Sequence, residues 1–304
     1  CFVGLSFNYL SKGEYNMFLQ QLLNSIAIGS VYALTSMGAT LIYGILGILD
    51  IANAGAYVLG AYFGYLFYTV TGNIFIAFLG AMLITGTLGV LIQKYVYRPL
   101  LSEPAYIPLI ASIGIFIFIE NIIRLIAGPT IKQFTVKLPF QNISLSNINI
   151  NNVWVLIFIV ALILMFLLWY LLKMTKIGLA WRATAQDLEI AKTMGINTNK
   201  VISLNFFLGY SFAASAGILI GILYNSIYPT MGSVVSYKML AIIVLGGLGN
   251  PFGTVVAALL IGFIETMIGG YIGFFIPRNA IAFIALVIIL LISPKGLFTQ
   301  KSRI

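Results

Sequence analysis

Residues 153–172 and 202–223 each run their full length without one charged side chain. Runs of this kind match the ~20 apolar residues that an α-helix needs to cross a bilayer, and they are too long for barrel strands. Every backbone polar group in lipid has to be satisfied within its own segment, so such runs fold as helices. The rest of the chain agrees. Apolar residues make up 61% of the 304, charged residues 8%, against about 25% charged in soluble domains. Mean hydropathy is +1.07. The expected fold is an all-α polytopic membrane protein with about 8 to 10 transmembrane helices, some short or broken.

One stretch departs from this pattern. Residues 178–196, GLAWRATAQDLEIAKTMGI, carry Arg182, Asp187, Glu189 and Lys192 between apolar spans. Read as one amphipathic helix, they put Trp181, Ala185, Leu188, Ala191 and Met194 near one face. Gly195 stands where a left-handed cap would end the helix. The stretch reads either as a connector lying on the bilayer surface or as a docking helix for a soluble partner.

The remaining spans are expected at 18–37, 74–96, 106–127, 254–268 and 280–292. Residues 39–70 are too long for one span and are broken at ILDIANAG; a short descending segment at 38–49 would precede a rising span from about Ala54. Residues 234–248 run into a second break, GGLGNPFG. Both breaks follow an apolar run and precede a small-residue helix. The echo is open between a structural repeat, whose broken helices meet at a substrate site in many transporters, and a chance likeness of Gly-rich membrane segments. Residues 128–152 form a polar loop or small hairpin. Residues 1–16 read as an N-terminal extension, with Met17 as the expected start; residues 17–298 are the transmembrane domain and 299–304 a basic tail.

Positive charge sets the topology. Lys94 and Arg98, then Lys173, Lys176, Arg182, Lys192 and Lys200, then Lys295, Lys301 and Arg303 fall in three polar segments. The positive-inside rule puts all three in the cytoplasm, with both termini there, and requires 38–49 and 234–248 each to cross or to be re-entrant. The net charge of +9 is spread over these segments with no basic stripe and interleaved aromatics, so nucleic acid is not the partner.

Chemistry is sparse. Histidine is absent and Cys1 is the single cysteine, which removes disulfides, His–Cys metal sites and histidine catalysis. GGLGNPFGT lacks the lysine of a nucleotide-binding loop, so ATP is not hydrolysed here. No cofactor is expected. A membrane enzyme would need clustered carboxylates, and a passive channel would not need a soluble helix between spans. The embedded polar residues are Asp50, Asn53, Glu120, Asn121, Arg124 and Glu265. Such groups are costly in a membrane and often functional. Glu120 and Arg124, four apart, are expected to pair. Asp50 and Asn53 at a helix break either line a pathway or cap helix ends, and Glu265 either bonds across a helix interface or lines the pathway.

On these residues the chain resembles the permease subunits of bacterial ABC importers for branched-chain amino acids. The likeness runs from about Met17 to Phe298 through four segments in register: GSVYALTSMGATLIYGILGI, GLAWRATAQDLEIAKTMGINTNKVI, LGGLGNPFGTVVAALLIGFIE and ISPKGLF. The resemblance implies a multi-pass subunit of the bacterial inner membrane. It implies two cytoplasmic ABC ATPase subunits, a second, paralogous permease and an extracytoplasmic solute-binding protein as partners. Arg182, Ala183, Asp187 and Gly195 carry over to the ATPase contact, joined by Gly178, Trp181 and Glu189 on the same stretch. Asp50, Asn53, Tyr57, Gly247, Asn250 and Glu265 are the pathway candidates. The family often has Asn-Phe-Ala-His-Gly where this chain has Asp50-Ile51-Ala52-Asn53-Ala54. Leucine, isoleucine and valine are the default substrates; a sugar or nucleoside permease of related architecture is the alternative.

Overall fold

The computed structural model describes residues 2–136, 143–145, 148–150 and 152–271, and the single positions 280, 283, 284, 287 and 291; side chains are described from Phe18 onward, those of the 143–145 and 148–150 strands aside. In order the elements are α1 (Phe2–Leu46), α2 (Ala52–Thr71), α3 (Ile74–Ile92), a π-helical turn (Gln93–Tyr97), α4 (Arg98–Leu100), α5 (Tyr106–Ala127), β1 (Lys132–Gln133), β2 (Ile143–Leu145), β3 (Ile148–Ile150), α6 (Asn152–Met174), α7 (Lys176–Gln186), α8 (Leu188–Thr193), α9 (Thr198–Leu223), β4 (Ser226–Ile227), α10 (Met231–Gly246) and α11 (Pro251–Tyr271). Six helices among the described residues are long and apolar enough to span a membrane, and α10 is a shorter apolar helix. With α2, whose 20 residues reach about 30 Å, eight helices among the described residues run between the two ends of the bundle.

α1 and α9 form the centre. The most apolar window of α1 is 94% buried, against 17% for α6, which turns its side chains outward as a lipid-facing helix does. Small residues let the central backbones approach. α1 runs antiparallel to α11: Gly262 sits against Gly29 and Ser25, Gly270 against Gln21, and the hydroxyls of Thr40 and Thr254 are 2.9 Å apart. α2 runs parallel to α9, with Gly60 against Ala214 and Gly64 against Ile218. A Cβ on Gly217 would collide with the Tyr57 carbonyl, so the α2–α9 seam has no room even for alanine there.

These contacts fix the ends. Gly44, near the close of α1, packs against Trp181 of α7, so that end carries α7 and α8. Lys94, Arg98, Asn199 and Lys200 line one cleft there, where the Ser203 hydroxyl donates to Gln93 Oε1 at 3.0 Å. Two of the basic segments expected to share a face do share it; the third, in the tail, lies outside the described residues. At the other end β1 pairs antiparallel with β4, and β2 with β3 in a hairpin inside the 128–152 connector.

Three expectations change. The segment 38–49 is no separate crossing: nothing interrupts the helix before Gly47, so it forms the last turns of α1 and the break after it. α1 therefore enters from the end opposite α7 and α8, and the beginning of the chain does not share their face, contrary to the placement of both termini. Glu120 and Arg124 do not pair. Glu120 is turned into the bundle, where its Oε1 accepts from the Ser233 hydroxyl of α10 at 2.7 Å, while exposed Arg124 reaches Asn121 Oδ1 at 3.4 Å. The span expected at 280–292 lies, but for five single positions, outside the described residues.

Candidate functional site

A cavity of about 420 Å³ opens between α1, α2, α9, α10 and α11 toward the end that carries β4. Tyr32, Tyr57, Tyr224, Tyr228, Met231, Val234, Val235, Lys238 and Glu265 are among its walls. Its polar side is a closed triangle. Lys238 Nζ donates to Glu265 Oε1 at 2.7 Å and to the Tyr32 hydroxyl at 2.7 Å; that hydroxyl donates to Glu265 Oε2 at 3.0 Å. Lys238 and Glu265 are each 5% exposed. Taking two charges out of water costs several kcal/mol per ion, and the cost is met only when the pair is close and its other atoms are bonded. Here both carboxylate oxygens and two ammonium donors are taken. The three side chains come from α1, α10 and α11, held in register by the glycine contacts between α1 and α11.

Glu265 and Tyr57, both pathway candidates, thus meet at one cavity. Lys238 and Tyr32 were not among the candidates. The signal for Lys238 was present: a lone lysine inside the apolar run 234–248, on a span with no acid, while Glu265 stood on a span with no base.

Asp50, Asn53, Gly247 and Asn250 lie elsewhere, at the two helix turns on the end that carries α7. Asp50 is fully buried; its Oδ1 accepts from the Ala52 amide at 3.0 Å and from the Tyr97 hydroxyl at 2.5 Å, so the carboxylate holds the first turn of α2 and ties it to the π-helical turn that follows α3. Asn53 Nδ2 donates to the Thr35 carbonyl of α1 at 3.0 Å and approaches Met239 Sδ of α10 at 3.6 Å. Gly247 closes α10 at φ +92°, a left-handed conformation that glycine takes without strain. Asn250 Oδ1 accepts from the Gly253 amide at 3.2 Å in the first turn of α11. Both breaks are tight turns joining antiparallel helices, and Gly249 and Gly44 bring them into contact. Asp50 and Asn250 accept from first-turn amides as helix caps do, while Asn53 ties α2 across to α1.

The expected single helix at 178–196 is two. α7 ends at Gln186, and Asp187, with extended backbone, starts α8 by accepting from the Glu189 and Ile190 amides at 2.8 and 2.9 Å. A carboxylate satisfies free amides at a helix start, which is why the chain bends at this residue. The two-helix form separates the residues expected on one face: Met194, past the end of α8, is 78% exposed, while Ala191 is buried and Trp181, Ala185 and Leu188 are half-buried. Gly178 lies so close to the Leu172 carbonyl that a Cβ would overlap it. Arg182 donates to that same carbonyl and caps the end of α6. Trp181 Nε1 donates to Asn205 Oδ1 of α9 at 3.1 Å, and Asn205 Nδ2 donates to the Leu41 carbonyl of α1 at 2.7 Å. The Ala183 carbonyl accepts from the Asp187 amide at 3.2 Å across the bend. Gly195 ends α8 at φ +82°. Glu189, Ile190, Lys192 and Met194 stand exposed on the outer surface.

Comparison with known proteins agrees with this architecture. Residues 21–292 match the model of the family described as branched-chain amino acid transport system / permease component. The chain is 33% identical over 297 residues to the high-affinity branched-chain amino acid transport system permease protein BraD of Pseudomonas aeruginosa, covering 93% of this chain and 96% of that protein. It is 32% identical over 304 residues to the LivH permease protein of the corresponding Escherichia coli system, with the same coverage. The ribose import permease protein RbsC of Haemophilus influenzae matches over only 105 residues, 32% of this chain. No solved structure matches. On the length of the family match and on its full-length relatives, the chain belongs to the permease family of branched-chain amino acid transport systems.

Proposed function

We propose that the chain is a non-catalytic transmembrane permease subunit of an ATP-driven importer for leucine, isoleucine and valine. The observation that carries this reading is the likeness, over nearly the whole of both chains, to permeases whose names state that transport; the sugar permease likeness covers a third of the chain. A permease without a nucleotide site draws its energy from separate ATPases. Two such subunits act on α7 and α8 from the cytoplasm, a second permease completes the path, and an extracytoplasmic binding protein delivers the solute.

The end with α7 and α8 faces the cytoplasm. Lys94, Arg98, Lys173, Lys176, Arg182, Lys192 and Lys200 belong to it, as the positive-inside rule requires. Ile190 and Met194, exposed beside Glu189 and Lys192, are the contact offered to the ATPase. Movement of α7 passes through three fixed ties: Gly178 and Arg182 to the end of α6, Trp181 to α9, and Asn205 to α1. α1 in turn carries Tyr32 into the cavity. Asp50, Asn53, Gly247 and Asn250 keep the turns rigid so that a push at this end moves whole helices.

The test is ATP-dependent uptake by proteoliposomes holding the complete complex, with labelled leucine outside together with the binding protein. Uptake inhibited by unlabelled isoleucine and valine, and not by ribose, is the expected result. Uptake of a sugar or nucleoside in place of leucine would replace this reading by the alternative.

A further inference from the structure

The polar wall of the cavity is neutral as a whole yet built from two full charges. Lys238 and Glu265 satisfy each other, with Tyr32 bridging them, and all three line a space about 420 Å³ in size, within the ~300–1,000 Å³ of small-molecule sites. On α10, Met231, Val234, Val235 and Lys238 follow at steps of three and four, so one helix face offers an apolar floor that ends in an ammonium. An ion pair in such a place is met by few solutes on equal terms. A lone anion or cation would leave one partner charged and unpaired, and a sugar would have to break the pair with neutral hydroxyls; an unpaired buried charge is what a site of this kind rejects. A zwitterion can exchange with the pair, charge for charge.

We propose that the Lys238–Glu265 pair, with Tyr32, is a transient site for the two ends of an α-amino acid. The carboxylate is taken by Lys238 Nζ and the Tyr32 hydroxyl, the ammonium by Glu265, and an apolar side chain by Val234, Val235 and Met231. This rests on the reading that the chain carries amino acids, and it adds a selectivity step inside the membrane to that of the binding protein. Closing the pair again after the solute leaves restores a satisfied, neutral wall, so the site holds its cargo without a deep trap.

The complete complex in proteoliposomes provides the test. The double variant Lys238→Met/Glu265→Gln removes both charges together and leaves neither stranded, so the complex should assemble, and its ATPase should still respond to leucine-loaded binding protein. Leucine uptake should fall about tenfold or more, the loss of a charge-assisted contact. Uptake equal to wild type would overturn the site while leaving the amino-acid reading intact. A second measurement keeps the charges in place: Val235→Cys should react with a small maleimide, and leucine-loaded binding protein with ATP should slow that labelling; an unchanged rate would also overturn the site. A wild-type complex that moves ribose and no leucine would instead refute the amino-acid reading, and the proposal with it.

Discussion

Replacing Trp181 with phenylalanine keeps an aromatic ring on α7 but removes one N–H, together with the benzo-ring atoms that pack on Gly44. That N–H is bonded at 3.1 Å to Asn205 Oδ1, and Asn205 is 2% exposed. A buried acceptor left without its donor costs about 1–3 kcal/mol; because Trp181 itself is only half-buried, the lower part of that range applies, about 1–2 kcal/mol. Asn205 keeps its bond to the Leu41 carbonyl, so α1 and α9 stay joined and the loss falls on the docking of α7. One to two kcal/mol is a factor of about 5 to 30 in the population of an undocked α7. Hydrogen exchange of the purified complex reads this directly. The amides of Ala180 to Thr184 should exchange faster by roughly that factor, while those at the centre of α9 should not change. ATP-driven uptake should fall with unaltered membrane insertion. Unchanged protection in α7 would show that the indole bond does not hold the helix, and the route from α7 to α1 would have to be abandoned.

Three further outcomes follow from the same geometry. Gly178→Ala places a methyl group on the Leu172 carbonyl, so α7 must tilt away from α6; uptake should drop steeply with normal amounts of protein in the membrane, and normal uptake would mean that the α6–α7 angle is immaterial. Asp187→Ala removes both amide bonds that start α8, at a cost of about 1 kcal/mol; ATPase co-purification should weaken, and full co-purification would argue that α8 is not the contact. A cysteine introduced at Asn147, in the 128–152 connector, should react with an impermeant maleimide added to intact cells; reaction only after permeabilisation would invert the topology.

Much of the helix order could be read from charge and glycine placement. Gly47 and Gly247 mark turns because they take the positive φ found there, Asp50 and Asn250 because their side chains accept from amides that apolar side chains leave free. The end of α1 was harder to read. Gly44 looks like a breaker, yet it lies inside the helix because Trp181 needs the space of its missing side chain. The break at Asp187 follows from an ordinary capping preference, but five apolar residues at helical spacing, Trp181 to Met194, masked it. Glu120 and Arg124 sit at a spacing that permits pairing, and only the position of α10 explains why Glu120 turns to Ser233 instead. The pairing of Lys238 with Glu265, 27 residues apart across two helices, depends on how α10 folds back on α11, which no local pattern contains. The strand pairing of β1 with β4 is of the same kind.

The central claim is that this bundle carries solute only when driven from outside itself through α7 and α8. The most direct measurement is leucine flux into proteoliposomes that hold this chain with its second permease and binding protein, with and without the ATPase subunits. Flux should appear only with ATPase and ATP present, and should be reduced in the Asp187→Ala complex. Flux by the permease chains alone, at a rate unaffected by adding ATPase and ATP, would contradict the account.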